Sequence, residues 1–113
     1  KLISGPTNQP VPLGVNCMHV ETAEEMLNEC MHSLPRDIVV CAAAVSDWRL
    51  KKVSPIKIKK NNKMSAPLLE LTENPDILLS LTNTKRHRPS LVIWFAAESN
   101  DIISNAQKKY KKK

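Results

Sequence analysis

Two uninterrupted apolar runs constrain the fold of this chain more than any other feature. They are IVVCAAAV at residues 38–45 and LVIWFAA at residues 91–97. A strand that lies between two packed layers has this composition, as in parallel sheets, whereas a strand with one solvated face alternates apolar and polar residues. The three consecutive alanines of the first run leave room for another group to approach the backbone closely. We therefore predict two buried strands of a parallel sheet.

A clear helical pattern precedes the first apolar run. Thr22 and Glu25 have the spacing of a capping box, in which the hydroxyl and the carboxylate each accept a hydrogen bond from a backbone N–H at the helix start. An apolar stripe with helical periodicity follows, and Pro35 ends the helix. The stripe consists of Ala23, Met26, Leu27, Cys30, Met31 and Leu34.

Two more helices are predicted, one on each side of the second apolar run. Asn74 is a suitable N-cap, Pro75 fits the first helical position, and Asp76 favours the positive end of the helix dipole. The C-terminal segment DIISNAQKKYKKK forms the last helix, with one apolar side made of Ile102, Ile103, Ala106 and Tyr110.

The order of these elements predicts the fold class. Short strands at residues 2–3 and 15–20 precede the first helix, and LLEL at residues 68–71 is a further candidate for a short strand. The order of the main elements is strand, strand, helix, strand, loop, helix, strand, helix. Buried strands that alternate with helices indicate an α/β protein, here a Rossmann-like three-layer sandwich with a mainly parallel sheet. Both chain ends fall inside predicted elements, so we expect a sheet that is incomplete at both ends.

The charge of the chain is concentrated in lysine clusters. The formal net charge is +6, and eleven of the 17 Lys and Arg are lysines in segments 51–63 and 108–113. Such surfaces attract anions. Binding to nucleic acid is disfavoured, because Tyr110 is the one aromatic residue that interleaves these clusters. No apolar segment is long enough for a bilayer and no signal-peptide pattern is present, so we predict no membrane association and, with three cysteines, a reducing cytoplasmic location.

The tripeptide Cys-Met-His occurs twice, at residues 17–19 and 30–32, and raises the question of a zinc site. Cys30 and His32 are two residues apart on a predicted helix, which places them about 200° apart around its axis. Cys30 also belongs to the apolar stripe. Neither pair has the spacing of a zinc finger, so we predict no metal ligands in the protein chain.

A phosphate site must use donors other than a glycine-rich loop, since the chain has only two glycines. Lysines and the N-terminus of the NPDIL helix are the candidates. Ligands of parallel sheets bind beyond the carboxyl ends of the strands, and SDWR and ESN lie there. Asp47 is therefore either a ligand-binding carboxylate or the cap of a turn. Lys109 and Lys113 share a helix face that suits two phosphates, although Lys109 also complements a helix dipole.

Four motifs together resemble a known family. AAAVSDWR, SPIKIKK, NPDIL and FAAESN, in this order, are similar to the phosphopantothenate–cysteine ligases of coenzyme A biosynthesis, as are LISGP and HVETAEEM near the start. The resemblance covers essentially all of the chain and implies that residues 1–113 are the central part of a ligase domain. It also implies a homodimer whose substrates are CTP with Mg²⁺, 4'-phosphopantothenate and cysteine. FMN would belong only to a fused decarboxylase domain.

The resemblance implies roles for individual residues. Lys57 matches the catalytic lysine for formation of the acyl-cytidylate, and it also contacts CTP. Ala43 and Ala44 would contact the pantothenate arm. The remaining CTP-binding positions would be Cys41, Ala42, Ala43, Asp47, Pro75, Asp76, Ile77, Leu78, Phe95, Lys109 and Lys113.

The chain departs from the family pattern at several places. Ile56 stands where glutamate is common, and Trp94 stands where a small residue is common. A glycine-rich N-terminal segment, which carries an asparagine for the second half-reaction, and the last strands of the family are not in the sequence. An alternative expectation is therefore an inactive fragment or a non-catalytic nucleotide-binding module on the same fold. The resemblance does not decide between CTP and ATP.

Overall fold

The structure is a computed structural model that describes residues 1–59, 68–95 and 101–110, apart from the side chains of Ile102 and Lys109. Six strands and three helices lie within these residues, in the order β1, β2, α1, β3, β4, β5, α2, β6, α3. Their bounds are β1 Leu2–Ser4, β2 Cys17–His19, α1 Ala23–His32, β3 Ile38–Cys41, β4 Trp48–Leu50, β5 Leu71–Glu73, α2 Ile77–Thr82, β6 Leu91–Trp94 and α3 Ile102–Tyr110.

The strands form three pairs, and two of these pairs are parallel. β1 pairs with β2, and β3 pairs with β6 in a register that places Cys41 opposite Trp94. β4 and β5 form an antiparallel pair, with Trp48 opposite Glu73. The predicted α/β class with parallel strands is thus confirmed, whereas the antiparallel pair was not predicted. The arrangement in three layers stays a prediction.

The first helix follows its sequence pattern closely. Thr22 accepts a hydrogen bond from the Glu25 amide at 3.1 Å, and the Glu25 carboxylate accepts one from the Thr22 amide at 3.2 Å, so the capping box is present. α1 packs against β1 and α2. The buried hydrophobic side chains of the described residues are Val20, Met26 of the α1 stripe, and Leu81 of α2.

Three predicted boundaries differ from the structure. β3 ends at Cys41, and the four residues 42–45 continue as exposed irregular chain. The predicted short strand at residues 68–71 is shifted, because β5 begins at Leu71. β6 ends at Trp94, and the last two residues of the predicted strand, 96 and 97, lie outside the described residues. Within the described residues, no helix has the length and apolar character needed to cross a membrane.

Candidate functional site

A cleft of about 780 Å³ opens between β1, α1, β3 and the start of α2. Small-molecule sites in proteins typically have volumes of about 300–1,000 Å³. Two stretches of sequence that lie about thirty residues apart meet in its lining, the segment after β3 and the segment before α2. Eight residues predicted to bind the nucleotide line it, namely Cys41, Ala42, Ala43, Asp47, Pro75, Asp76, Ile77 and Leu78.

The lining combines apolar and polar regions. Leu2 and Ile3 of β1 and residues 38–40 of β3 contribute apolar side chains along the strands. Ser46, Asp47, Asn74 and Asp76 contribute polar groups where the chain leaves β3 and enters α2. A few polar groups at one end of an apolar cleft can orient a ligand that has a polar head and a less polar body.

The start of α2 differs from its sequence prediction. The N-cap is Asp76 and not Asn74, since the Asp76 carboxylate accepts a hydrogen bond from the Leu79 amide at 2.9 Å. The Asp76 carbonyl accepts hydrogen bonds from the Ser80 amide at 3.0 Å and the Ser80 hydroxyl at 2.7 Å. The Asp76 carboxylate sits at the positive end of this short helix, where it would compete with a phosphate, and a phosphate site at the helix start stays a prediction.

Asn74 joins the two polar segments of the cleft. Its side-chain amide donates to the Ser46 carbonyl at 2.8 Å, and its backbone amide donates to the Asp47 carbonyl at 2.8 Å. These bonds continue the β4–β5 ladder by one residue, and they bring Asp47 and Asp76 to the same cleft. The local reason that Asn74 does not cap α2 is that its side chain is engaged with the opposite segment.

Arg49 is a residue of this region that sequence reasoning missed. Its guanidinium donates to the Glu73 carbonyl, to the Asn74 side-chain oxygen at 3.5 Å, and to Glu24 of α1 at 2.7 Å. The signal that could have found it is an arginine between two large apolar residues, Trp48 and Leu50. An arginine in a strand usually needs partners for its donors when it is partly buried.

Two cysteines line the cleft, Cys30 on α1 and Cys41 at the end of β3. Burial raises the pKa of both thiols above the ordinary value. For Cys30, the neighbouring Cys41 and Glu29 raise the pKa further, and Lys1 lowers it. Both groups are therefore protonated at neutral pH, when they act as small apolar side chains. Within the described residues, no cluster of three or more His, Cys, Asp or Glu side chains is arranged to hold a metal ion.

The other predicted site residues lie elsewhere or are not described. Lys57 is exposed in an irregular segment, and neither Lys57 nor Ala44 lines the cleft. Phe95 is 69% exposed and directly follows Trp94, so it leaves β6 at the same end where Ala42 leaves β3. Lys109 lies in α3, but its side chain is outside the described residues, as is all of Lys113.

Comparison with known proteins gives a consistent result. The family model described as the DNA/pantothenate metabolism flavoprotein C-terminal domain matches residues 1–113. The coenzyme A biosynthesis bifunctional protein CoaBC of Vibrio vulnificus is 35% identical over an alignment of 113 positions, which covers 99% of this chain and 28% of that protein. CoaBC of Borreliella burgdorferi is 40% identical over an alignment of 114 positions, which covers 99% of this chain and 29% of that protein.

A solved structure with the same fold is also found. The crystal structure of the C-terminal domain of CoaBC superimposes with a TM-score of 0.77 at 34% sequence identity. The match covers 97% of this chain and 49% of that domain structure. The chain thus spans under a third of the length of the full relatives and about half of the solved domain.

Proposed function

The chain belongs to the family of DNA/pantothenate metabolism flavoprotein C-terminal domains, and we propose that it carries the nucleotide-binding part of a phosphopantothenate–cysteine ligase. The observation that supports this proposal is the cleft, where eight predicted nucleotide-binding residues from two separate stretches of sequence line one cavity. The proposal extends to a cytoplasmic homodimer whose complete domain is a three-layer sandwich.

The proposed reaction has two steps. The carboxylate of 4'-phosphopantothenate attacks the α-phosphorus of CTP, and pyrophosphate leaves with its bonding electron pair. The amine of cysteine then attacks the acyl carbon of the acyl-cytidylate, which forms the amide, releases CMP and loses a proton. Reactions of this type depend mainly on positioning and on neutralisation of charge.

The geometry of the cleft supports different binding roles for its acidic residues and for the lysines. Asp47 and Asp76 are acceptors, so they suit ribose hydroxyls or the hydrated Mg²⁺ that accompanies CTP, and they do not suit bare phosphate oxygens. Cationic side chains suit the phosphates of CTP, and we assign phosphate binding to Lys57, Lys109 and Lys113. Mg²⁺ would supply further neutralisation of the triphosphate when CTP binds.

The residues around the nucleobase end are apolar. Cys41, Ala42 and Ala43 are small residues at the end of β3, where backbone groups are accessible to a ligand. Ala43 and Ala44 are proposed to extend this surface to the pantothenate arm. Phe95 supplies an exposed aromatic ring at the same end of the neighbouring strand, which suits contact with cytosine.

Replacement of Lys57 tests the catalytic proposal. The chain is incubated with CTP, Mg²⁺ and 4'-phosphopantothenate, and the acyl-cytidylate is detected by mass spectrometry. Lys57→Gln should abolish the intermediate and leave CTP binding largely intact. Lys52→Gln is the matched control, because Lys52 is an exposed lysine of the same segment and should leave both properties unchanged.

A non-catalytic nucleotide-binding module is the second candidate function. The observation that favours it is that Lys57 does not line the cleft that holds eight other predicted residues. Under this proposal the unsubstituted chain binds CTP but forms no acyl-cytidylate, so Lys57→Gln has no activity to remove. The same incubation therefore separates the two candidates.

A further inference from the structure

Arg49 connects three parts of the molecule beside the cleft. It lies in β4, forms an ion pair with Glu24 of α1 at 2.7 Å, and donates to the Glu73 carbonyl at the end of β5. It also donates to the side-chain oxygen of Asn74 at 3.5 Å. The planar guanidinium reaches all of these acceptors at once, whereas a lysine ammonium at the same place is a single point charge.

Asn74 connects Arg49 to the lining of the cleft. With its oxygen facing Arg49, its Nδ2 faces the Ser46 carbonyl, and its backbone N–H faces the Asp47 carbonyl, both at 2.8 Å. Asn74 is followed by Pro75 and by Asp76, the cap of α2. Asn74 thus holds the Ser46–Asp47 segment through its side chain and its backbone N–H, directly before the chain enters α2.

We propose that Arg49 and Asn74 are a pair of positioning residues that set the separation of Asp47 and Asp76 for nucleotide binding. This inference rests on the proposed function, because the ligand it concerns is CTP. Neither residue needs to touch the nucleotide. Arg49 orients the side-chain amide of Asn74, and Asn74 holds the two carboxylate-bearing segments at one distance. Misplacement of binding groups by a fraction of an ångström to 1 Å is enough to weaken a ligand site strongly.

The contacts of Arg49 differ in how much they contribute to the position of the cleft residues. The ion pair of Arg49 with Glu24 is exposed, with 59% of the Glu24 side chain accessible, so it contributes little. The donations to Glu73 and Asn74 are the ones that orient the cleft. Arg49→Lys keeps a positive charge that can pair with Glu24 but removes the planar guanidinium and its several donors. It is therefore the informative substitution.

The test is calorimetric titration of the chain and its variants with CTP and Mg²⁺. Arg49→Lys and Asn74→Ala should each raise the Kd about tenfold with the binding stoichiometry unchanged, since the site is intact but misaligned. The Kd of the double variant should be no higher than that of the single variant with the higher Kd, because the two residues act as one unit. Glu24→Gln and Lys51→Gln, which remove the exposed ion pairs with Arg49 and Glu70, should change the Kd less than twofold.

The outcomes that contradict the inference are distinct. A lower stoichiometry with an unchanged Kd would mean that the residues only keep the protein folded, and additive effects in the double variant would mean that they do not act together. An unchanged Kd in both single variants would refute the inference and leave the proposed function standing. Absence of CTP binding by the unsubstituted chain would refute the proposed function itself.

Discussion

Asp76 both caps α2 and lines the cleft. Asn74 and Asp76 are both good N-cap residues two positions apart, and the structure has Asp76 as the cap in place of the predicted Asn74. The choice depends on a contact with a distant segment, since the Asn74 side chain binds the Ser46 carbonyl. Asp76 is left to accept from the Leu79 amide.

The two roles assigned to Asp76 can be separated by substitution. Asp76→Asn keeps an oxygen that accepts from the Leu79 amide, so the free energy of unfolding should change little. It removes the negative charge, so affinity for CTP with Mg²⁺ should fall. Asp76→Ala removes the cap as well and should lower the free energy of unfolding by about 1 kcal/mol. Urea unfolding and CTP titration measure the two properties, and equal CTP affinity of the Asn variant and the unsubstituted chain would show that the charge of Asp76 does not contribute to binding.

The two cleft cysteines give a pH-dependent prediction. Burial raises the pKa of Cys30 and Cys41, so the folded state keeps these protons at a pH where the unfolded chain has lost them. The free energy of unfolding should therefore fall as the pH rises above about 8.5, the ordinary thiol pKa. It should be insensitive to these groups at lower pH.

Alkylation measures the same effect residue by residue. With iodoacetamide at pH 7, modification of Cys30 and Cys41 should be slow and should accelerate at higher pH, as followed by mass spectrometry of peptides. Bound CTP should protect Cys41, which lines the cleft, and Cys17 in β2 is an internal control that does not line it. Rapid alkylation of Cys41 at pH 7 that CTP leaves unaffected would contradict both the burial and the site.

Among the elements, α1 was the most predictable because its signals are local. The capping box, the apolar stripe and the proline after the helix all lie within fifteen residues, and the structure confirms the cap and the burial of Met26. Thr22→Ala should lower the free energy of unfolding by about 1 kcal/mol, whereas Thr22→Ser retains the hydroxyl and should cost much less. Urea unfolding followed by far-ultraviolet circular dichroism checks this, and equal stability of the Ala variant would show that the cap contributes nothing.

Strand limits were less predictable because they depend on partners that are distant in sequence. The apolar run at residues 38–45 predicts one strand, but the pairing of β3 with β6 ends at Cys41 opposite Trp94. The following SDWR segment instead leads into β4, which pairs with β5 more than twenty residues later. Apolar composition predicted the strands, whereas the residue at which the pairing ends depends on the partner strand. The shape of the cleft depends on where the pairing ends. The sequence therefore predicts the segments that line the cleft but not their arrangement.

At the scale of the whole molecule, much apolar surface stays exposed. Val20, Met26 and Leu81 are the buried hydrophobic residues of the described part, while residues of β3 and β6 such as Ile38, Val40 and Leu91 are exposed. The radius of gyration is 17.7 Å, whereas a compact chain of 100 residues has about 13 Å. Strands with exposed apolar faces favour association with further chain or with another copy.

This surface predicts concentration-dependent self-association of the 113-residue chain. The net charge of +6 opposes contact between copies, so added salt should strengthen the association by screening that repulsion. Sedimentation velocity at several protein and salt concentrations measures it. A monomer at all concentrations and in high salt would contradict the expected exposure of the strands.

The most direct test of the nucleotide site is a titration of the ¹⁵N-labelled chain with CTP and Mg²⁺, followed by NMR. Amide shifts should be largest for the segments at residues 41–43, 47 and 76–78, because these line one cleft, and should be small at the β1–β2 connection. They should shrink in Arg49→Lys at the same CTP concentration. Shifts confined to the lysine-rich segments, or no shifts at millimolar CTP, would show that this cleft does not bind the nucleotide.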